Sequence, residues 1–203
     1  MTDVANRLRT GAARALGRPL SETESDLLYK YLELLMKWQK TQRLVGSSDP
    51  DWIVDNAIVD SLLFARALPP GISTMCDVGS GAGIPGIPLK AVMPTVDVTL
   101  VESRERRASF LASAIRELPL TRCRLINRRI EDVSDELAGR FDAIVMRCAG
   151  RPEGLVECTS RLLSPGGVLI ASGPPVAGPL TRGEWLEVDG PRGPRRFWIY
   201  RTT

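Results

Sequence analysis

Apolar side chains after Ser21 return every three or four positions. Leu27, Leu28, Tyr31, Leu32, Leu35 and Trp38 fall on one face of a helix. Ser21-Glu22-Thr23-Glu24 has the form of a capping box, a serine N-cap with a glutamate three residues on. The spacing predicts an amphipathic helix over roughly 22–44. A second helical pattern runs over 51–67, with Ile53, Ala57, Ile58, Leu62 and Leu63 inward, until Leu68-Pro69-Pro70-Gly71 stops it. Ahead of both, residues 1–19 are polar and carry Gly and Arg, which fits a short helix or a loose arm.

Beyond this point the pattern alternates. Short apolar runs at 74–78, 96–102, 124–127, 142–147 and 167–172 read as strands. Helical stretches separate them at 87–92, 104–118, 131–137 and 152–163. This order predicts an α/β fold, a mostly parallel sheet with helices on both faces. The C-terminus departs from it. Runs at 185–188 and 196–201 flank Asp189-Gly190-Pro191-Arg192-Gly193-Pro194, a hairpin expected to add an antiparallel strand. The expected organisation is a helical extension over 1–70 and a domain over 71–203, together one compact unit.

Composition narrows the function. The 203 residues are 43% apolar and 25% charged, the balance of a soluble globular protein. No run approaches the ~18 apolar residues of a membrane span, and no secretory signal is expected. Cys76, Cys123, Cys148 and Cys158 are scattered without a C-x-x-C pair. That favours thiols in a reducing cytoplasm over a disulfide frame or a zinc site. Histidine is absent, which removes His triads, His general bases and imidazole metal ligands together. Net charge is +3 but uneven: residues 102–129 hold eight arginines against three glutamates. Such a field attracts polyanions, though a solvated helix face gives the same pattern.

The most informative stretch is Cys76-Asp77-Val78-Gly79-Ser80-Gly81-Ala82-Gly83-Ile84-Pro85-Gly86, between the first predicted strand and a helix. Glycines there permit a tight turn and close approach of backbone to a ligand. Glu102 ends the next strand, where a carboxylate can accept both ribose hydroxyl protons. A glycine-rich turn without a ligand is the alternative. The spacing also fits the dinucleotide loop of a nicotinamide dehydrogenase. Asp77, ahead of the first glycine, favours S-adenosylmethionine, whose ammonium it can meet; a cap or turn role is its alternative.

Several motifs go further. They are Leu32 to Lys40 (LELLMKWQK), Ile58-Val59-Asp60-Ser61-Leu62, and Asp77 to Lys90 (DVGSGAGIPGIPLK). To these add Leu100-Val101-Glu102-Ser103 with Arg106, Arg107, Phe110 and Leu111, then Arg129-Ile130-Glu131-Asp132, and Phe141-Asp142-Ala143-Ile144-Val145 leading to Arg147. In these the chain resembles the small-subunit ribosomal RNA guanine-N7 methyltransferases, also called the glucose-inhibited division protein B family. The resemblance implies a Rossmann-like class I methyltransferase fold, S-adenosylmethionine as cofactor, and ribosomal RNA or the small ribosomal subunit as partner. It implies no metal, no membrane, and a monomer. The cofactor-binding residues it implies are Asp77, Gly79, Ser80, Gly81, Gly83, Ile84, Glu102, Ser103, Ile130, Glu131 and Arg147. On the substrate side the chain departs from the family. A usual histidine is Ala57, Asn-Leu-Thr is Arg43-Leu44-Val45, Ser-Arg-Ala is Met146-Arg147-Cys148, and Lys-Gly is Ser172-Gly173.

For the acceptor, Arg147 and Asp60 are the expected catalytic residues, with Ser61 beside them. Arginine reads guanine edges or holds phosphate; a salt bridge from Arg147 to Asp60 is the alternative. Helix capping or a local turn is the alternative for Asp60 and Ser61. Arg104, Arg106, Arg107, Arg122, Arg124, Arg128 and Arg129 are candidates for RNA phosphates, and Arg192, Arg195 and Arg196 form a second cluster. Trp38, Trp52, Trp185 and Trp198 are candidates for base stacking, with core packing favoured for Trp38 and Trp198. The departures leave other readings open: a methyltransferase for a small molecule or another RNA, or a non-catalytic S-adenosylmethionine binder.

Overall fold

A computed structural model describes residues 2–147, 156–172 and 182–202. Among them, seven strands form one sheet in the order β3-β2-β1-β4-β5-β7-β6. They are β1 (Thr74–Val78), β2 (Asp97–Val101), β3 (Cys123–Ile126), β4 (Phe141–Met146), β5 (Leu163–Ser172), β6 (Glu184–Gly190) and β7 (Gly193–Arg201). The first five pair in parallel, and β7 runs antiparallel to both β5 and β6. The expected hairpin is therefore present, with its turn at Pro191 and Arg192.

Alternation along the strands divides the core in two. Met75, Val98, Leu100, Ala143, Val145, Val168 and Ile170 join one cluster. Cys76, Val78, Val101, Ile144, Met146, Leu169 and Ala171 join the other. The first face is covered by α5 (Gly86–Val92), α6 (Glu105–Glu117) and the N-terminal helices, through Leu89, Phe110, Leu28, Leu32 and Ile58. The second is covered by Ile130, Val133 and Leu137, with Val156 of α7 (Val156–Ser160).

Residues 2–16 form no loose arm. They make the helix α1 (Thr2–Leu16), whose Leu8, Ala12 and Ala15 are buried. Gly11 lets it sit close, since a Cβ there would lie 2.9 Å from Val59 Cγ2. The helix α2 (Glu22–Gln39) opens with the expected capping box but stops short of residue 44. The Gln39 side chain ends it: its amide nitrogen donates to the Val45 and Ser47 carbonyls, and its oxygen accepts from the Leu44 and Val45 N–H groups. The next helical run is mixed. An α turn, α3 (Pro50–Ile53), passes into a π turn (Val54–Val59), then α4 (Asp60–Leu62) and a 3₁₀ turn (Leu63–Arg66).

Two predicted helices are corrected. Residues 131–137 form successive turns: the Val133 N–H donates three residues back to the Ile130 carbonyl, and the Ser134 hydroxyl takes the Glu131 carbonyl. Its apolar positions still reach the core. The predicted helix over 152–163 is helical over Val156–Ser160, and Leu163 already belongs to β5. Its first residues, 152–155, lie outside the described residues, as do Cys148 and the stretch 173–181. No disulfide joins Cys76, Cys123 and Cys158. Among the described residues no helix is long and apolar enough to cross a membrane.

The docking of α1 is testable through Leu8, which is 2% exposed. Leu8→Ala is expected to lower unfolding free energy by about 2–5 kcal/mol in urea denaturation. An unchanged midpoint would mean that α1 does not belong to the cooperative core.

Candidate active site

The loop from Gly79 to Pro85 leaves the carboxyl end of β1 and enters α5. Its shape follows from glycine at three positions. Gly79, Gly81 and Gly83 have φ of 72°, 60° and 82°, a region that costs other residues about 1 kcal/mol or more. At Gly79 a Cβ would meet nothing within 4 Å, and at Gly81 the nearest atoms are 3.6 Å and 3.8 Å away. Gly83 has a different reason, since a Cβ there would overlap Ile87. The Gly79 and Ser80 N–H groups both donate to the Val101 carbonyl, which ties the loop to the end of β2.

Two buried carboxylates complete the loop. Asp77 Oδ2 accepts from the Gly86 N–H (2.9 Å), so the cap role is realised. Asp77 Oδ1 is buried without a hydrogen-bond partner among the described residues. Burial pushes the Asp77 carboxyl up to about 7, and the Gly86 N–H opposes that rise. Glu102 is 5% exposed; its oxygens accept from the Gly81 N–H and the Arg104 N–H, both at 2.8 Å. Each oxygen retains a further lone pair. Asn127 Nδ2 donates to the Glu102 carbonyl and fixes the end of β2 from β3's side.

The other expected cofactor residues differ in burial. Ser80 is buried and donates to the Asp77 carbonyl. Ile84 and Ile130 are buried, Ile130 in one cluster with Val78 and Val101. Ser103 and Glu131 are exposed. The arrangement fits S-adenosylmethionine. It offers a buried, unpartnered carboxyl oxygen, an open glycine turn, and a second acid with acceptor capacity left.

Sequence reasoning missed Tyr31 as part of this region. Its buried hydroxyl donates to the Ala82 carbonyl (2.7 Å) and joins α2 to the loop. The signal was available: a tyrosine on an apolar stripe needs an acceptor for its hydroxyl. Arg107, a candidate for RNA phosphates, lies beside the loop, with Nη1 3.6 Å from where a Gly81 Cβ would be. Lys90, inside the quoted motif, is buried and donates to the Pro94 and Val96 carbonyls.

Arg147 follows β4 and makes the salt bridge that was its alternative. Its Nη2 donates to Asp60 Oδ2 (2.7 Å) and to the Asn56 carbonyl in the π turn. Burial lowers the Arg147 pKa, with Asp60 opposing. Asp60 has a second cation: Arg195 Nε lies 2.7 Å from Oδ1. Ser61 donates to the Ala57 carbonyl, a local bond. At the hairpin turn, Arg192 donates to the Asn56 side-chain oxygen, and Arg196 pairs with Glu187. The structure thus joins the helical extension to the hairpin through Asn56 and Asp60. Ser172 is buried at the end of β5, and Gly173 lies outside the described residues.

The comparisons with known proteins give the family and the fold. The family model described as GidB, rRNA small subunit methyltransferase G, matches residues 24–173. The chain belongs to this family. A ribosomal RNA small subunit methyltransferase G of Neisseria meningitidis is 38% identical over 165 residues, 81% of this chain and 77% of that protein. The protein of the same name from Xanthomonas campestris is 36% identical over 174 residues, 84% and 80% of the two chains. Solved structures agree on the fold. P. horikoshii TYW2 in complex with MeSAdo has a TM-score of 0.56 at 16% identity, over 71% of this chain and 62% of that one. This family member therefore spans less than two thirds of that structure. The C-terminal domain of precorrin-6Y C5,15-methyltransferase from Rhodobacter capsulatus has a TM-score of 0.53 at 18% identity, over 70% and 88%. The fold is that of class I methyltransferases.

The raised Asp77 carboxyl fixes a pH dependence. Its folded pKa of about 7 exceeds its ordinary value of 3.8, so the folded state holds the proton more tightly. The stability contributed is full below pH 4 and is lost as pH rises through about 7. Ligand-free protein is expected to lose on the order of a few kcal/mol from this group between pH 5 and 8. Asp77→Asn should flatten that slope in denaturant titrations. An identical slope in the variant would remove Asp77 as its source.

Proposed function

We propose that this chain transfers the methyl group of S-adenosylmethionine to N7 of a guanine in small-subunit ribosomal RNA. The observation that carries it is the buried, unpartnered Asp77 Oδ1 beside an open glycine turn, in a chain of this family. Asp77 would hold the ammonium group, and Glu102 with Ser103 the ribose hydroxyls. Gly79, Ser80, Gly81, Gly83 and Ile84 would form the backbone cradle, with Ile130 and Glu131 at the adenine. S-adenosylmethionine supplies an electrophilic methyl group on a sulfonium.

The chain's own part is to bind and orient. Guanine N7 has an exposed lone pair and no proton to lose, so a general base is not required. A chain without histidine suits that chemistry. Holding the two reactants in line can supply several kcal/mol of the barrier. Arg147 is the candidate for the acceptor contact, since Asp60 and the Asn56 carbonyl fix its guanidinium at the end of β4. Asp60 positions Arg147 and Arg195 together. The reading needs no metal ion. We take the protein to act as a monomer in the cytoplasm, a setting that the scattered cysteines fit. We take the extension 1–70 and the domain 71–203 to act as one unit, because Tyr31 and Asp60 of the first serve the site of the second.

The first test is transfer of labelled methyl to small ribosomal subunits that lack the modification. Label at one guanine N7 is expected. Intact S-adenosylmethionine binding with no label in ribosomal RNA would move the acceptor elsewhere. In the same assay Arg147→Ala should keep cofactor affinity and lower turnover by about a hundredfold. Wild-type turnover would take Arg147 out of the acceptor site.

A further inference from the structure

A cleft of about 360 Å³ separates the helical run after Pro50 from the β6–β7 turn, with Arg147 in its lining. Trp52, Asn56 and Asp60 line one wall, and Arg192 and Arg195 the other. Its charges do not balance. Asp60 is shared by Arg147 and Arg195. Asp55, the other acid in the lining, is held by Arg7 of α1 through two hydrogen bonds. Arg192 donates to a neutral amide oxygen. No carboxylate is within ion-pair distance of it among the described residues. The cleft therefore holds an excess of guanidinium charge at the tip of a turn.

The opposite wall adds an aromatic. Trp52 is 37% exposed, one of two large hydrophobic residues exposed among those described. Its ring is backed by Gly46, where a Cβ would come within 3.2 Å of Cη2. A supported indole in the same cleft as an uncompensated guanidinium is the pairing that recognises single-stranded nucleic acid: the ring stacks a base and the cation holds phosphate. Resting on the methyltransferase reading above, we propose that this cleft binds the single-stranded RNA next to the acceptor nucleotide. A base stacks on Trp52 and a neighbouring phosphate is held by Arg192. Asp60 acts as a positioning residue that keeps Arg147 and Arg195 in the lining.

The test uses the full chain and a short single-stranded oligoribonucleotide. Binding is followed by tryptophan fluorescence and repeated over a range of salt. Wild-type fluorescence should be quenched on binding, and Trp52→Leu should lose the quench and about tenfold in affinity. Arg192→Gln should weaken binding at low salt and reduce the slope of log affinity against log salt by about one. Both variants should keep the wild-type melting temperature and S-adenosylmethionine affinity. Wild-type RNA binding in both would overturn the proposal. So would variants that methylate naked ribosomal RNA normally but fail on assembled subunits, a result that assigns the cleft to a ribosomal protein. Quenching by RNA without methyl transfer to any ribosomal RNA would keep the cleft as an RNA site and sink the methylation reading instead.

Discussion

The burial of Asp77 and Glu102 shapes everything around the glycine turn. A buried carboxylate needs donors, and backbone N–H groups are the donors at hand. Gly86 donates to one acid and Gly81 to the other, so the acids fix the middle of the loop and its exit into α5. Glycine then follows as a consequence. At Gly86 a Cβ would lie 2.6 Å from Asp77 Oδ2, inside the distance that the bond needs. Loop sequence and acid placement are therefore one constraint. Its incomplete part is Asp77 Oδ1, which has no hydrogen-bond partner among the described residues and is where the proposed reading places the cationic end of the cofactor.

The helical extension depends on the same loop. Tyr31 reaches the Ala82 carbonyl, and α2 packs on the face of the sheet that α5 and α6 cover. This packing sets the π turn beside Arg147, and Asp60 is then close enough to hold both Arg147 and Arg195. The glycine turn and the Asp60–Arg147–Arg195 cluster are thus linked through packed helices. Asp60 is a mostly buried anion between two cations, so removing it would leave two guanidiniums in repulsion.

Much of this was legible in the residues. The bounds of β1 were readable because a compact apolar run is closed by Gly79. The two helical runs of the extension were legible as apolar stripes, and the acids because each lies at the carboxyl end of a strand. The misses have local causes. Gln39 ended α2 with side-chain bonds that a periodicity cannot reveal. Ile130, Val133 and Leu137 have helical spacing but reach the core from turns, since spacing reports which residues face inward and not the backbone that carries them. The partners of Asp60 were half readable. Arg147 was weighed as one, while Arg195 lies 135 residues away and meets it through strand register.

The arginine-rich stretch teaches a further distinction between charge in a sequence and charge at a surface. Its excess of arginines suggested one broad basic face. In the fold, Arg122 is tied to Asp97, Arg124 donates to Thr99, and Arg128 is held by Glu136 and the Asp132 carbonyl. Arg107 lies by the glycine turn. Three of the eight have carboxylate partners where they stand, Arg116 with Glu117, Arg122 with Asp97 and Arg128 with Glu136, and exposed pairs of this kind contribute about 0–1 kcal/mol each to stability. The hairpin carries fewer arginines, yet Arg192 rests on an uncharged oxygen at the mouth of a cleft. For attracting a polyanion, one uncompensated guanidinium in a concave site outweighs several that have already found carboxylates.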